Sequence, residues 1–168
     1  SNQEINGLIA EHLDVQRLLQ RASRKFDGGY VMAGLIGHGD AFVLRDPAGI
    51  RPAFYYYDDE IVVVASERPA IQTSLNIRYF QVKELKPGHA LIIKKNGMVS
   101  EELCKEPVAL TPCSFERIYF SRGTDRDIYL ERKKLGELLA DKILKAVNYD
   151  FENTLFSFIP NTAEVAFY

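Results

Sequence analysis

Arg45-Asp46-Pro47-Ala48-Gly49-Ile50-Arg51-Pro52 lies between two apolar segments, and the run Ile61 to Ala65 ends in Ala65-Ser66-Glu67 shortly after it. Pro47 and Pro52 fix their own φ angles, and Gly49 admits a φ that side chains resist, so the octapeptide reads as a stiffened bend. Its charges allow two roles. Arg45, Asp46 and Arg51 could line a site, or they could lock the bend through guanidinium and carboxylate hydrogen bonds, and the lock is favoured. In the lock, Asp46 pairs with Arg45 or Arg51 and accepts main-chain N–H groups.

Strand signals surround this bend. Tyr30 to Ile36 and Ala41 to Leu44 flank the turn Gly37-His38-Gly39-Asp40, and Ala53 to Tyr57 and Ile61 to Ala65 flank Asp58-Asp59-Glu60. Ala90 to Lys94 precedes Asn96-Gly97, the strongest local hairpin signal in the chain. Ahead of them, Leu8, Ile9, Leu13, Leu18, Leu19 and Ala22 recur at helical spacing, which predicts a helix over 8–26 stopped by Gly28-Gly29. Ser66 is placed to cap a short helix over 67–75. Beyond Pro107 the pattern changes. Phe115 to Phe120 reads as an aromatic strand, Tyr129 to Val147 as a long helix with an apolar stripe, and Thr154 to Ile159 as a buried strand ending at Pro160.

Composition excludes several classes. A net charge of −2 over 168 residues carries no polyanion signature, so nucleic acid is not an expected partner. No apolar run reaches membrane-spanning length, so no membrane is expected either. Cys104 and Cys113 are the only cysteines. A disulfide framework is not expected, and a reducing cytoplasm is. His12, His38 and His89 lack ligand spacing, and no metal site is read from them. Gly28-Gly29 and Gly37-x-Gly39 read as turns rather than phosphate cradles. Ser1-Asn2 reads as a tag-removal scar and is set aside.

The bend and Ala65-Ser66-Glu67 together resemble the R-D-P-x-G-x-R-P and A-S-E signatures of class-II glutamine amidotransferases. Cys113-Ser114-Phe115-Glu116-Arg117-Ile118-Tyr119-Phe120-Ser121-Arg122 is similar to the C-x-F-E-x-I-Y-F-x-R junction of amidophosphoribosyltransferases. Tyr129-x-x-Arg132-x-x-Leu135-Gly136-x-x-Leu139-Ala140 resembles the first helix of their phosphoribosyltransferase domain, and Phe158-Ile159-Pro160-Asn161-Thr162 falls where that family has a strand ending in a V-P-[DE]-[ST] loop. Four motifs in the family's order, from about Gly28 to Tyr168, identify the resemblance as one to amidophosphoribosyltransferases, as an internal fragment or a divergent paralogue.

That resemblance implies an α+β fold. Residues 3–110 would be the C-terminal part of an Ntn-hydrolase glutaminase domain, with stacked antiparallel sheets between helices. Residues 111–168 would be the junction and the first helix and strand of an α/β phosphoribosyltransferase domain. In the parent, an N-terminal cysteine releases ammonia from glutamine, with its α-amino group as the base. The ammonia then displaces pyrophosphate from phosphoribosylpyrophosphate, assisted by Mg2+, to give phosphoribosylamine in purine synthesis. The nucleophile and the glutamine-holding residues lie upstream of the matched segment, and the ribose-phosphate loop lies downstream. The chain itself is therefore expected to be inactive, with no catalytic residue of its own. Thr162 is the implied pyrophosphate-loop contact, although a plain strand-to-helix turn explains that segment as well. Some members hold a [4Fe-4S] cluster through a cysteine at the place of Cys113, so the parent could carry one, whereas one thiolate alone cannot. A homo-oligomeric parent is implied.

Departures are visible too. Gly123-Thr124-Asp125-Arg126-Asp127 is shorter than the family's P-D-S turn, Asn161 replaces a common acidic residue, and Ala163 a common serine. Asparagine synthetases share the glutaminase signatures but not the junction. A catalytically dead homologue acting as an interaction module is the third reading.

Overall fold

The structure is a computed structural model that describes all residues 1–168. It divides into two compact units, Ser1–Cys113 and Ser114–Tyr168.

The first unit begins with α1 (Asn2–His12) and α2 (Val15–Ala22), which ends in a 3-10 turn over Ser23–Lys25. The single helix expected over 8–26 is thus broken. Leu13 and Asp14 adopt extended backbone, and the Asp14 carboxylate accepts the Arg17 N–H at 2.9 Å, a cap that restarts the helix. Ser1 and Glu4 form the capping box of α1, a helix none of whose residues is buried.

Seven strands follow, in two antiparallel sheets. Strands β1 (Val31–Leu35), β2 (Ala41–Arg45), β6 (His89–Ile93) and β7 (Val99–Leu103) form one sheet in the order β1-β2-β6-β7. The other has the order β4-β3-β5, with β3 (Phe54–Tyr57), β4 (Val62–Ala65) and the short β5 (Lys83–Glu84). All three expected hairpin turns are present. Asn96-Gly97 closes β6 onto β7, with Gly97 at φ +87° and its N–H donating to the Lys94 carbonyl.

The apolar runs of β2 and β6 are continuous because both faces of the first sheet are covered. Leu44, Ala90 and Ile92 pack with Val15, Leu19 and Cys104 beneath α2. Val43 and Leu91, on the alternate positions, pack with Ala53, Tyr55 and Leu85 toward the second sheet. On the far side of that sheet α3 (Arg68–Leu75) buries Ile71, and its Arg68 guanidinium lies between the Phe54 and Tyr79 rings, 4.6 and 4.5 Å from their centroids. Glu67, not Ser66, occupies the cap position, and no side-chain cap bond forms there.

The second unit is built on α4 (Arg126–Ala146). The Asp125 carboxylate accepts the Asp127 and Ile128 N–H groups at its start. Two residues with positive φ, Asn148 and Tyr149, follow its end. Phe115–Phe120 is not a strand: residues 116–120 form one wide helical turn closed by the Ser121 N–H on the Glu116 carbonyl at 2.7 Å. Nor is Thr154–Ile159 a strand. It runs without a ladder partner, with Leu155 and Ile159 exposed, and leads through a turn into the short α5 (Glu164–Phe167). Gly136 lets α5 approach α4, since a Cβ there would lie 1.9 Å from the Ala166 carbonyl oxygen. No helix is long and apolar enough to cross a membrane.

Candidate functional site

The bend after β2 is a buried polar knot. Asp46 is fully buried, its Oδ1 accepting the Ala48 and Ile50 N–H groups at 3.0 and 2.9 Å and its Oδ2 the Arg51 N–H at 3.0 Å. Its main chain extends the knot. The Asp46 N–H donates to the Tyr30 carbonyl, and its carbonyl accepts from Gly49 and Gly88. Gly49 sits at φ +61°, where a Cβ would meet Leu110 and Pro87.

The buried Arg45 reaches outward from the same strand end. Its Nε donates to the Arg51 carbonyl at 2.7 Å, Nη2 to Gly49 at 3.3 Å, and Nη1 to the Leu85 carbonyl and to Glu84 Oε1, the latter at 2.9 Å. The guanidinium thus ties the bend to β5, and its ionic partner is Glu84 rather than Asp46. Neither charge projects into open space. The bend is a lock, and its carboxylate is spent on main-chain donors.

The segment beyond β7 is threaded along this bend. The Val108, Thr111 and Cys113 N–H groups donate to the carbonyls of Pro47, Ala48 and Ile50 at 3.0, 2.8 and 3.2 Å. Every second or third residue of the connecting segment is therefore fixed to the signature octapeptide.

A second buried polar group was read only as a turn in the sequence. The His38 ring nitrogen Nε2 lies 3.0 Å from Asp40 Oδ2, with both side chains buried; Lys94 Nζ pairs with the same oxygen and the Lys95 N–H donates to Oδ1 at 2.9 Å. Burial works against the Asp40 carboxylate, but Lys94, the Lys95 N–H and His38 outweigh it and bring its pKa down to about 2. Helical or strand periodicity carries no sign of this cluster, because its members meet across 54 residues.

The cysteines are separate. Cys104 is buried beneath α2, and desolvation pushes its thiol up to about 11, so it holds almost no thiolate at neutral pH. Cys113 is half-buried at the end of the threaded segment. Thr162 is half-buried in the turn ahead of α5. The neighbouring groove of about 630 Å³ is walled by Leu139, Ile143, Phe156, Phe158, Ala163 and Phe167 among others, so it is apolar and not a bed for a polyphosphate.

No family model matches the chain. The amidophosphoribosyltransferase of Pasteurella multocida is 30% identical over 141 residues, covering 79% of this chain and 27% of that protein. That of Saccharomyces cerevisiae is 31% identical over 162 residues, covering 89% of this chain and 31% of that protein. The chain is a relative of the amidophosphoribosyltransferases. It spans less than a third of the length of these curated relatives. The solved glutamine phosphoribosylpyrophosphate amidotransferase from B. subtilis, complexed with ADP and GMP, superposes with a TM-score of 0.70 at 25% identity, over 99% of this chain and 36% of that one. The α+β architecture with antiparallel sheets is therefore shared with an amidophosphoribosyltransferase structure, and the locked bend lies inside the shared region.

Proposed function

We propose that the chain is part of an enzyme that releases ammonia from glutamine and passes it to phosphoribosylpyrophosphate, forming phosphoribosylamine for purine synthesis. The observation that carries this is the physical coupling of the two signature stretches. The octapeptide of the glutaminase class holds the connector that leads into the junction, through the Val108 and Thr111 N–H groups, and meets the first residue of the junction motif itself through the Cys113 N–H on the Ile50 carbonyl. In this proposal residues 3–110 are the C-terminal part of an Ntn-hydrolase glutaminase domain and residues 111–168 open a phosphoribosyltransferase domain.

The chain's own residues then have positioning roles. The Asp46 knot sets the path from sheet to junction, and the Arg132 guanidinium, donating to the Ser121 and Arg117 carbonyls at 2.6 and 3.4 Å, fixes the junction turn against α4. Thr162 supplies a hydroxyl to the pyrophosphate. No thiol here is set up as a nucleophile, so these residues alone are proposed not to hydrolyse glutamine. In this proposal Cys113 would be one ligand of a [4Fe-4S] cluster in the parent, with the remaining ligands supplied from outside residues 1–168, since a single thiolate cannot hold such a cluster. Mg2+ would come with the phosphoribosylpyrophosphate. A cytoplasmic, homo-oligomeric parent completes the proposal.

The test is Thr162→Ala in the full-length product of the gene that encodes this chain. KM for phosphoribosylpyrophosphate should rise about tenfold, the size of one charge-assisted hydrogen bond, with glutamine KM unchanged. An unchanged phosphoribosylpyrophosphate KM removes Thr162 from the site. Activity that requires ATP and aspartate instead would assign the parent to the asparagine synthetases.

A further inference from the structure

The outer face of α2 carries Arg17 and Arg21, and Arg24 and Lys25 follow in the 3-10 turn that ends it; all four are exposed. Spacings of four and three residues put Arg17, Arg21 and Arg24 in a row along one side of the helix and its terminal turn. None of the four makes an ion pair. The acidic side chains that flank the row, Asp14 and Asp27, accept main-chain N–H groups, from Arg17 at 2.9 Å and from Gly28 at 2.8 Å.

Basic residues near a helix C-terminus ordinarily answer the partial negative charge of its last carbonyls. Here that task is already done: Lys105 Nζ donates to the Ser23 and Phe26 carbonyls at 3.2 and 2.6 Å. Gln16 and Gln20 fasten the inner side of α2 to the Leu103 carbonyl, so the helix is held without its arginines. At the end of the row lies a pocket of about 410 Å³ lined by Gln20, Ser23, Arg24, Lys105 and Glu106 among others, and the buried Ser23 hydroxyl has no hydrogen-bond partner.

We propose that this row is a docking surface for an acidic protein segment, a helix presenting carboxylates at the same one-turn intervals. Charge complementarity selects the occupant. Four cations on two turns match one face of an acidic helix, whereas a nucleic-acid track needs a longer basic surface than a chain of net charge −2 supplies here. A membrane surface is disfavoured because the row offers charge with only Leu18 and Phe26 as exposed large apolar neighbours, too little for an amphipathic membrane face.

The probe is a fluorescein-labelled alanine-rich peptide of about 20 residues with glutamates at i, i+4, i+7 and i+11, titrated by anisotropy at low salt. The unmodified chain should bind it. Arg17→Glu/Arg21→Glu/Arg24→Glu should weaken binding by at least about tenfold, while Lys133→Glu/Lys142→Glu on α4 should not. If the charge reversal unfolds the chain by circular dichroism, Arg17→Gln/Arg21→Gln/Arg24→Gln replaces it, with the same direction expected. Absence of peptide binding, equal binding by the row variant, or tighter binding of single-stranded DNA or phosphatidylserine vesicles at the same row would each overturn the proposal.

Discussion

Asp46 Oδ2 receives the main-chain N–H of Arg51 at 3.0 Å, five residues further on, and so closes the octapeptide into a ring around a fully buried carboxylate. Two further N–H groups reach Oδ1. Alanine at this position leaves three donors unanswered in the interior. Asp46→Ala should therefore cost on the order of 2–4 kcal/mol. Urea melts of the two proteins check this, and coincident curves would show that the bend is held by its prolines alone.

The pH dependence of stability has a definite sign at Asp40. Its pKa is about 2 in the fold against an ordinary 3.8, so the folded state favours the ionised form. The stabilisation is complete above about pH 4 and drains away as pH falls toward 2. The urea midpoint should drop over that window, and Asp40→Asn should flatten the drop while lowering stability at pH 7. An undiminished acid slope in the variant would place the effect on other carboxylates.

Much of the first unit was legible in its punctuation. Gly37 to Asp40, Asp58 to Glu60 and Asn96-Gly97 announced three hairpins because turn chemistry is local. The break at Leu13-Asp14 was not legible, because the apolar spacing runs on across it and only the Asp14 side chain ends the register. Phe115 to Phe120 and Thr154 to Ile159 were misread for a shared reason. Aromatic and β-branched runs signal strands only when a neighbouring strand covers them, and here Phe115, Tyr119, Leu155 and Ile159 are exposed. At the bend, the main-chain donors to Asp46 follow from sequence. The Glu84 partner of Arg45, 39 residues away, does not.

Arg68 lies between two aromatic rings, and a lysine cannot stack in the same way. Arg68→Ala should lower stability by about 2–3 kcal/mol, two buried cation–π contacts being lost, and Arg68→Lys should recover only part of it. Thermal melts of the three proteins decide this, and full recovery by lysine would reduce the site to a simple point charge.

Gly136→Ala sets two effects against each other. Alanine favours a helix over glycine by about 1 kcal/mol, but its Cβ would strike the Ala166 carbonyl at 1.9 Å, a main-chain atom with no rotamer to yield. The clash should win. Amides 163–168 should exchange faster in the variant, as read by hydrogen exchange, whereas unchanged protection would mean that α5 does not rest on α4.

The central claim is most directly tested with glutamine labelled at its amide nitrogen with 15N, supplied with phosphoribosylpyrophosphate and Mg2+ to the full-length product of the encoding gene. The label should leave as phosphoribosylamine nitrogen, with one glutamate formed for each pyrophosphate released. Label that stays in glutamine, or that passes to aspartate in an ATP-dependent reaction, would contradict the assignment.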